Sequence, residues 1–542
     1  MTRNILWGKE VPEAWNGVWP KEMLTIPEKS DWKKTSSFLE TCEYISELMW
    51  HTELMHVEPM FVTEMRRAAP LVIISNPRIT TPEEAGKTGK PVIYLQGGIH
   101  PDEAEGKESL LIAIREFIFG KLRPLLDEVV IACCPDFNPD GNDAWTINTS
   151  AGGTGVRGQR GNFQGLDLNR DAIKLESPNM RGLCTNLLNR WDPAISLDIH
   201  CMGPVRHGYA LLYAPSYTPT AHPGPRGYTS DILFPAVRNL VREKYKLEVY
   251  THAEWNQDEW PPKTWDPKKA FYTVEAKYIA NAIGLRNRLA ILTETPSAVG
   301  FEKRIYASYA YACALVEYSA AKKQEIIDIC KKADAETVQN IKEKAASGEL
   351  RNWVDGEYIS KGLTELYAYK SRANRLLVGT SFVYRGPDEL EPELVVGVED
   401  LTCPIGTKEA TMPRGYLIPE ELSFIVNKLK THGLTIDVLD TLTHAEGEEY
   451  VIDSLRKEQK GDHTLYPMTE LQGGFKKATK TFTAGTYNID LAQPLANLAF
   501  YCLEPEIGDS LTGWGFLDPF FKEKGAPKYS VVYPIFKYLK LW

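Results

Sequence analysis

The sequence predicts an α/β protein with a mixed, largely parallel sheet flanked by helices, followed by a second, smaller α/β or α+β domain. Short apolar runs alternate with amphipathic segments, which is the pattern of strands joined by helices in a parallel sheet. A chain of 542 residues is also too long for one ordinary hydrophobic core. After about Gly348 the sequence pattern changes to strand-like runs separated by Pro/Gly turns. We therefore predict one domain over residues 1–347 and a second over residues 348–542.

The first ninety residues lead into the sheet. Residues 1–36 are rich in Trp, Pro and Lys and predict an irregular lead-in. Helical spacing of apolar residues over about 37–69 predicts a helix, and residues 71–75 predict a strand. The Pro and Gly residues within 80–90 predict a loop.

The core of the predicted sheet follows. Its strands are short apolar runs, and the segments between them are amphipathic or rich in Gly and Pro. The expected strands are residues 91–95, 128–133, 194–200 and 289–294, and the expected helices are 105–119, 180–191, 230–246 and most of 301–346. A long loop of the kind that forms binding surfaces is expected over residues 201–225.

The C-terminal part predicts a smaller domain of strands with at least one helix. Residues 376–378 and 393–398 are strand-like, residues 419–431 predict a helix and residues 434–439 predict another strand. Nothing in this part suggests a chemical role.

Composition excludes some classes of protein. The net charge of −10 argues against general nucleic-acid binding, which needs a basic surface. No apolar run is long enough for a transmembrane helix, and the N-terminus as written lacks the apolar core of a signal peptide. The nine cysteines form no C-x-x-C pair and predict no disulfide framework. Cysteine usage therefore leaves the compartment open.

Three predicted strands lead directly to residues that commonly bind metals. His100 and Glu103 lie on the turn after the first strand, His200 ends another strand and Glu294 ends a third. In such sheets ligands bind at the carboxyl ends of the strands. Two histidines and a glutamate, with a fourth position left to water, are a common set for catalytic zinc. We therefore predict that His100, Glu103 and His200 bind one zinc ion.

The remaining residues of this edge predict a hydrolytic site. A water activated by zinc needs a base, and Glu294 is the candidate because a carboxylate within hydrogen-bond reach can take its proton. An arginine could share the negative charge that develops on the substrate oxygen. Arg157 and Arg160 lie in the loop facing this edge and are both candidates.

A neighbouring motif predicts recognition of a carboxylate. Arg170 presents a planar fork of donors that fits a carboxylate bidentately, and Asn169 beside it adds an amide donor. Next to a hydrolytic zinc, such a clamp suggests cleavage of a residue with a free carboxyl end. Taken alone, the motif would be interpreted as a surface salt bridge.

Taken together and in this order, these motifs resemble the zinc carboxypeptidase family. The matching segments are residues 100–103 (His-Pro-Asp-Glu), 138–141 (Asn-Pro-Asp-Gly), 166–170 (Leu-Asp-Leu-Asn-Arg), 197–200 (Leu-Asp-Ile-His) and 291–294 (Ile-Leu-Thr-Glu). The resemblance covers about residues 40–320, and the region from about Arg351 on is similar to the C-terminal extension of a long bacterial subgroup. It implies a catalytic domain over residues 1–347 and an accessory domain over residues 348–542.

The resemblance also implies roles for individual residues. His100, Glu103 and His200 would hold zinc, Glu294 would be the general base, and Asn169 and Arg170 would bind the terminal carboxylate of the substrate. The arginine that stabilises the oxyanion would be Arg160 or Arg157. A mobile tyrosine that closes over the substrate would be Tyr272, with Tyr278 as the alternative.

The expected function is a zinc metallocarboxypeptidase that acts on a peptide or small amide with a free carboxylate. One alternative is a zinc amidohydrolase that acts on cell-wall peptides or N-acyl amino acids. An alternative of another class is an inactive, peptidase-like binding protein, although an intact Glu294 argues against it. The resemblance implies a secreted or periplasmic protein, although the chain as written shows no leader.

Two further segments match known functional motifs but lack the flanking structure that those motifs need. Residues 153–158 match G-x-G-x-x-G, but neither a strand nor a helix flanks them as a dinucleotide site requires. Residues 508–511 (Gly-Asp-Ser-Leu) resemble the serine motif of some lipases and esterases, but no strand-turn-helix context surrounds them. Neither predicts a catalytic site.

Overall fold

The computed structural model describes residues 11–147, 156–203, 205–256, 258–297, 299–370, 375–378, 381–384, 392–459, 467–525 and 531–542. Of residues 146–147, 156–157, 375–378 and 381–384 only the backbone is described. Within these ranges, no helix combines the length and the apolar character needed to cross a membrane.

The main sheet of the described chain has eight strands. In spatial order these are Met55–Val62, Ala68–Ile74, Val130–Cys134, Val92–Gln96, Ile195–Met202, Leu289–Pro296, Leu211–Pro215 and Val249–Thr251. The four central strands run parallel to one another, and both of their outer neighbours are antiparallel to them. The predicted mixed, largely parallel sheet is confirmed.

Helices pack on both faces of this sheet. Alternate residues of the strand Val92–Gln96 enter two different cores, with Tyr94 in one and Ile93 and Leu95 in the other. This explains why the strands Val92–Gln96 and Val130–Cys134 are almost continuous apolar runs, since a strand covered on both faces has no solvent-facing side. The helices are Ile26–Lys29, Phe38–Trp50, Pro82–Thr88, Glu105–Phe119, Pro139–Asp143, Pro178–Gly182, Pro223–Tyr228, Phe234–Leu240, Ile279–Gly284, Phe301–Ala321, Lys323–Lys344, Ser423–Thr431, Ala496–Leu503 and Asp518–Glu523.

The C-terminal part contributes several smaller sheets. One contains Asp437–Val438, Tyr487–Asp490, Gly415–Ile418, Phe536–Leu541, Thr443–Glu458 and Met468–Phe482, with Val531–Val532 paired to Thr443–Glu458. Shorter ladders join Arg351–Ile359 to Cys403–Thr411 and Arg375–Val378 to Ser381–Tyr384. A three-stranded sheet has Glu393–Asp400 in its centre, between Thr264–Trp265 and Leu363–Ala368. The helix Ala496–Leu503 is buried along its whole length and shares a hydrophobic core with Tyr94 and Ile279. The two predicted domains therefore pack closely, while their boundary at residue 347 stays a prediction.

Three local predictions were wrong. The helix that begins after Ser37 ends at Trp50, and a strand, Met55–Val62, follows it. The expected loop over residues 80–90 contains the helix Pro82–Thr88, which begins with a capping box between Thr81 and Glu84. The expected loop over residues 201–225 contains the strand Leu211–Pro215, which adds an antiparallel neighbour to the central strands.

Candidate metal centre

The backbone brings the predicted metal ligands to one edge of the main sheet. His100 and Glu103 lie on the turn between the strand Val92–Gln96 and the helix Glu105–Phe119. This turn packs tightly, because a Cβ atom at Gly97 would lie 2.6 Å from the backbone of Gly106. His200 lies on the adjacent parallel strand. The register of the next strand then places Glu294 directly opposite His200.

The side chains of His100, Glu103 and His200 converge on one point. One ligand atom from each lies within 4.8 Å of the others. The two imidazole Nδ1 atoms are 3.2 Å apart, and each lies 3.1 Å from an oxygen of the Glu103 carboxylate. Both histidines are buried, at 2% and 1% exposure. The three groups are therefore close enough to share one metal ion.

Two further carboxylates fix the orientation of the imidazoles. His100 Nε2 lies 2.9 Å from Asp167 Oδ1, and His200 Nε2 lies 2.7 Å from Asp198 Oδ2. An ionised carboxylate can only accept a hydrogen bond, so each Nε2 carries the proton and each Nδ1 presents a lone pair. Two lone pairs and a carboxylate that face one another repel unless a cation lies between them. Carboxylates that hold the far nitrogen of a ligand histidine in this way are usual at metal sites.

The electrostatics of the cluster also favour a cation. Burial alone would raise the pKa of the Glu103 carboxyl, but the two neighbouring imidazoles hold it well below its usual range. Burial opposes a charge on His100, yet Glu103 and Asp167 raise its pKa above the ordinary value. The pKa of His200 is likewise raised against burial, by Asp198 and Glu103. The donor set thus attracts positive charge, and its chemistry fits zinc.

Glu294 lies beside this cluster, and its surroundings shift its pKa in the opposite direction from that of Glu103. Its Oε2 atom is buried and has no hydrogen-bond partner among the described residues. Burial raises its pKa to about 8, against the lowering effect of His200. A carboxyl group with a pKa in this range can both take up and return a proton near neutral pH.

Arg160 faces the same cavity. Its Nε donates to Asp167 at 2.9 Å and its Nη1 donates to Glu103 at 3.0 Å, while about a third of the side chain stays exposed. The guanidinium is therefore held next to the predicted metal ligands with part of its surface facing the cavity. The side chain of the alternative, Arg157, lies outside the described residues.

Asn169 and Arg170 lie on a short turn at the cavity wall. The Asn169 Oδ1 atom accepts a hydrogen bond from the Ile279 N–H at 2.9 Å, and its Nδ2 lies 3.5 Å from His200 Nε2. The Arg170 guanidinium lies over the Tyr278 ring, with its Cζ 4.5 Å from the ring centre. Both side chains are nearly buried and line the cavity.

The two candidate tyrosines are both held by hydrogen bonds. Tyr272 is 3% exposed, and its hydroxyl donates to Asn281 Oδ1 at 3.2 Å. The Tyr278 hydroxyl donates to the Phe271 carbonyl at 2.7 Å. The exposed aromatic residue of this segment is Phe271, at 78%. Both tyrosines line the cavity, and the closing movement assigned to Tyr272 stays a prediction.

The cavity has a volume of about 530 Å³ and contains residues that the sequence did not reveal. His252 and Glu254 follow the strand Val249–Thr251 and line the cavity together with Leu292. His252 is 2% exposed, and burial lowers its pKa to about 3. Burial raises the pKa of Glu254 to about 8. The sequence analysis also missed Asp167 and Asp198 as the groups that orient His100 and His200. Asp198 had a local signal, because a residue two positions before His200 on a strand lies on the same face.

Comparison with known proteins agrees with the predicted resemblance. A family model described as zinc carboxypeptidase matches residues 44–187. That segment contains His100, Glu103, Asn169 and Arg170, and it ends before His200. The chain is also similar to Carboxypeptidase 2 of Trichophyton rubrum, with 22% identity over 486 residues, which is 85% of this chain and 80% of the relative.

Other similar proteins cover different shares of the chain. Carboxypeptidase 2 of Trichophyton tonsurans is 22% identical over 84% of this chain and 79% of its own length. A crystal structure of a metallo-carboxypeptidase from Burkholderia cenocepacia has 17% identity and a TM-score of 0.39, over 52% of this chain and 69% of that one. Bovine thrombin-activatable fibrinolysis inhibitor, in complex with a tick carboxypeptidase inhibitor, has 14% identity and a TM-score of 0.39 over 55% and 99%. The predicted bacterial subgroup stays a prediction.

Proposed function

We propose, from the premise that this chain is a zinc metallopeptidase of the carboxypeptidase family, that it removes the C-terminal residue of a peptide by hydrolysis. One observation carries the proposal. The Nδ1 atoms of His100 and His200 meet the Glu103 carboxylate within 3.2 Å, next to the buried carboxyl of Glu294. Ligands and base thus lie side by side on neighbouring strands.

The residues of the chain divide the proposed reaction among them. Zinc held by His100, Glu103 and His200 would act as a Lewis acid and lower the pKa of water toward about 7. Glu294 takes the proton from the attacking water and returns it to the leaving amine. Arg160 stabilises the negative charge that develops on the carbonyl oxygen.

Recognition of the C-terminus of the substrate follows from Asn169 and Arg170, which also line the cavity. Arg170 and Asn169 supply donors for the terminal carboxylate of the substrate, and the cation–π contact with Tyr278 holds the guanidinium in place. A substrate bound in this way places its last peptide bond, rather than an internal one, beside Glu294. Exopeptidase activity therefore follows from the clamp and not from the zinc ligands.

A peptide-library digest, with and without a chelator and read by mass spectrometry, tests the proposal. Loss of single residues from free C-termini is expected, with no cleavage of the same peptides when their C-termini are amidated. Glu294→Gln should lower turnover by about a hundredfold or more, while Glu108→Gln serves as a matched control. Glu108 is also a buried carboxylate, but it bonds Thr35 and Ser36 and does not line the cavity. Activity that survives both chelation and Glu294→Gln would contradict the proposal.

The same assay separates the rival functions. Cell-wall peptides and N-acyl amino acids also present a carboxylate to Arg170, so they belong in the substrate panel. Preference for either of them over ordinary peptides would favour the amidohydrolase. Binding of zinc and peptide without any turnover would favour an inactive, peptidase-like binding protein.

A further inference from the structure

Residues 271–279, here called the aromatic segment, form one wall of the substrate cavity. The segment joins the turn Pro267–Ala270 to the helix Ile279–Gly284 and contributes Phe271, Tyr272 and Tyr278 to the cavity lining. Residues 272–278 contain no helix or strand. Because no regular element holds it, the conformation of this wall depends on side-chain hydrogen bonds. Asn281 of the following helix donates to the carbonyls of Thr273 and Glu275, and the other bonds come from more distant parts of the chain.

Groups from the C-terminal part of the chain bond the backbone of the aromatic segment. The Ala276 N–H donates to the Tyr501 hydroxyl at 2.8 Å, and the Lys277 N–H donates to Asp509 Oδ2 at 2.8 Å. The Tyr358 hydroxyl donates to the Tyr272 carbonyl at 3.1 Å. All three partners lie more than eighty residues beyond the segment in sequence.

Asp509 and Tyr501 act as one unit. Tyr501 lies on the buried helix Ala496–Leu503, and its hydroxyl donates to the second oxygen of the Asp509 carboxylate. Asp509 is 1% exposed and Tyr501 is 4% exposed. A buried carboxylate is tolerated only when its oxygens accept hydrogen bonds, so its position and that of the backbone amide it accepts are mutually fixed. Asp509 belongs to residues 508–511, which resemble the serine motif of some esterases. In the structure Asp509 accepts a hydrogen bond from the Lys277 backbone amide.

The aromatic segment in turn holds the groups that face the substrate carboxylate. Lys277 precedes Tyr278, whose ring lies against the Arg170 guanidinium with 4.5 Å between Cζ and the ring centre. The next backbone amide, that of Ile279, donates to Asn169 Oδ1 at 2.9 Å. The other end of the same amide, Asn169 Nδ2, lies 3.5 Å from His200 Nε2. A displacement of residues 276–277 would therefore move both members of the carboxylate clamp.

We propose that Asp509, together with Tyr501, is a positioning residue that sets the geometry of the carboxylate clamp from the C-terminal part of the chain. The structural half of this inference stands on hydrogen bonds alone. Its functional half rests on the proposed carboxypeptidase activity. The C-terminal part would then be required for substrate recognition, although none of its described residues lines the cavity at the predicted zinc site.

Hydrogen–deuterium exchange tests the structural half without any activity. In Asp509→Ala the peptide covering residues 271–279 should exchange faster than in the wild type, because the Lys277 amide loses its acceptor. Glu504→Ala is the matched control: Glu504 is a buried carboxylate of the same region, but it bonds Tyr416 and Lys537 instead. Faster exchange over residues 271–279 is expected for Asp509→Ala alone. Equal exchange in the two variants would overturn the proposal.

Kinetics on a peptide with a free C-terminus test the functional half of the inference. Asp509→Ala should raise KM for a peptide with a free C-terminus on the order of tenfold, which corresponds to about 1.4 kcal/mol, with a smaller change in kcat. Asp509→Asn keeps an acceptor for Lys277 and should restore most of the affinity. Tyr501→Phe removes only a hydroxyl and serves if Asp509→Ala does not fold.

The outcomes separate the two proposals. A wild-type protein without carboxypeptidase activity would refute the proposed function, whatever the exchange data show. An active wild type whose Asp509→Ala and Tyr501→Phe variants keep the wild-type KM, despite faster exchange, would refute the positioning role. If Glu504→Ala lowers kcat and raises KM as much as Asp509→Ala does, the positioning role is also refuted. General destabilisation would then be enough to explain both variants.

Discussion

The orientation of His200 leads to a prediction of how tightly the proposed metal site would bind zinc. Its Nε2–H donates to Asp198, whose other oxygen accepts from the Gln96 amide at 2.9 Å. The Gln96 carbonyl oxygen accepts from the Tyr94 hydroxyl at 2.7 Å, so the Gln96 amide must present its N–H₂ group to Asp198. This chain of bonds leaves only one orientation for the groups that contact His200.

The perturbation that tests this chain is Asp198→Asn. Gln96 would still donate to the side-chain oxygen at position 198, which turns the new N–H₂ group toward His200 Nε2. Two N–H groups cannot bond, so the imidazole proton would move to Nδ1 and block the atom that faces the metal. Loss of such an orienting carboxylate typically costs about tenfold to a hundredfold in metal affinity. This is about 1.4–2.7 kcal/mol of binding free energy.

Competition with a chromophoric chelator measures the zinc Kd of the purified variants. Asp140→Asn is a suitable control, because Asp140 is a buried carboxylate that bonds Thr63 and Arg67 and does not line the cavity. We expect weaker zinc binding for Asp198→Asn and an unchanged Kd for the control. A Kd for Asp198→Asn within about twofold of the wild type would refute the reasoning from the hydrogen-bond chain.

Four further predictions concern the cavity and the core. Glu294→Gln should lower kcat by about a hundredfold or more while zinc and peptide still bind, as calorimetry would show. Arg170→Lys should raise KM for free C-termini and leave amidated peptides unaffected, since a lysine cannot form the bidentate bond. Glu254→Gln should reduce any preference for a C-terminal Lys or Arg over norleucine, because Glu254 adds a carboxyl to the cavity lining. Asp136 is fully buried, and burial raises its pKa from 3.8 to about 7. The folded state therefore keeps this proton longer than the unfolded state, and the free energy of unfolding should fall as the pH rises from about 4 to about 7. Asp136→Asn should remove part of that fall, which urea titrations at several pH values would measure.

Much of the main sheet could be predicted because its signals are local. The helix Glu105–Phe119 has the predicted bounds, and the central strands lie within about two residues of their predicted positions. These strands are buried on both faces, so no exposed residue interrupts them, and two of them, Val92–Gln96 and Val130–Cys134, are almost wholly apolar. Residues at the ends of such strands were therefore placed at the same edge correctly.

The wrong predictions arose where the burial is one-sided or the signal is short. The strand Met55–Val62 is at the edge of the sheet and partly exposed, so its apolar residues also fitted a helical period. The helix Pro82–Thr88 did have a local signal, since Thr81 and Glu84 form a capping box with Pro82 at the first helical position. That signal was outweighed by the Pro and Gly content of the same residues.

His252, Glu254 and Asp509 could not have been found from their neighbours in sequence. His252 follows a strand of three residues, and it reaches the cavity only because that strand pairs in parallel with Leu211–Pro215, itself an unpredicted element. Asp509 reaches the aromatic segment across a sequence separation of 232 residues. The predicted metal ligands are different, because each lies on a central strand or on the turn that follows one, and the direction of these strands fixes where the side chains lie. The predicted zinc site is thus a consequence of the parallel sheet, whereas the shape of the cavity beside it depends on tertiary contacts that local sequence does not encode. Substitutions in the C-terminal part should for this reason alter substrate affinity before they alter zinc affinity.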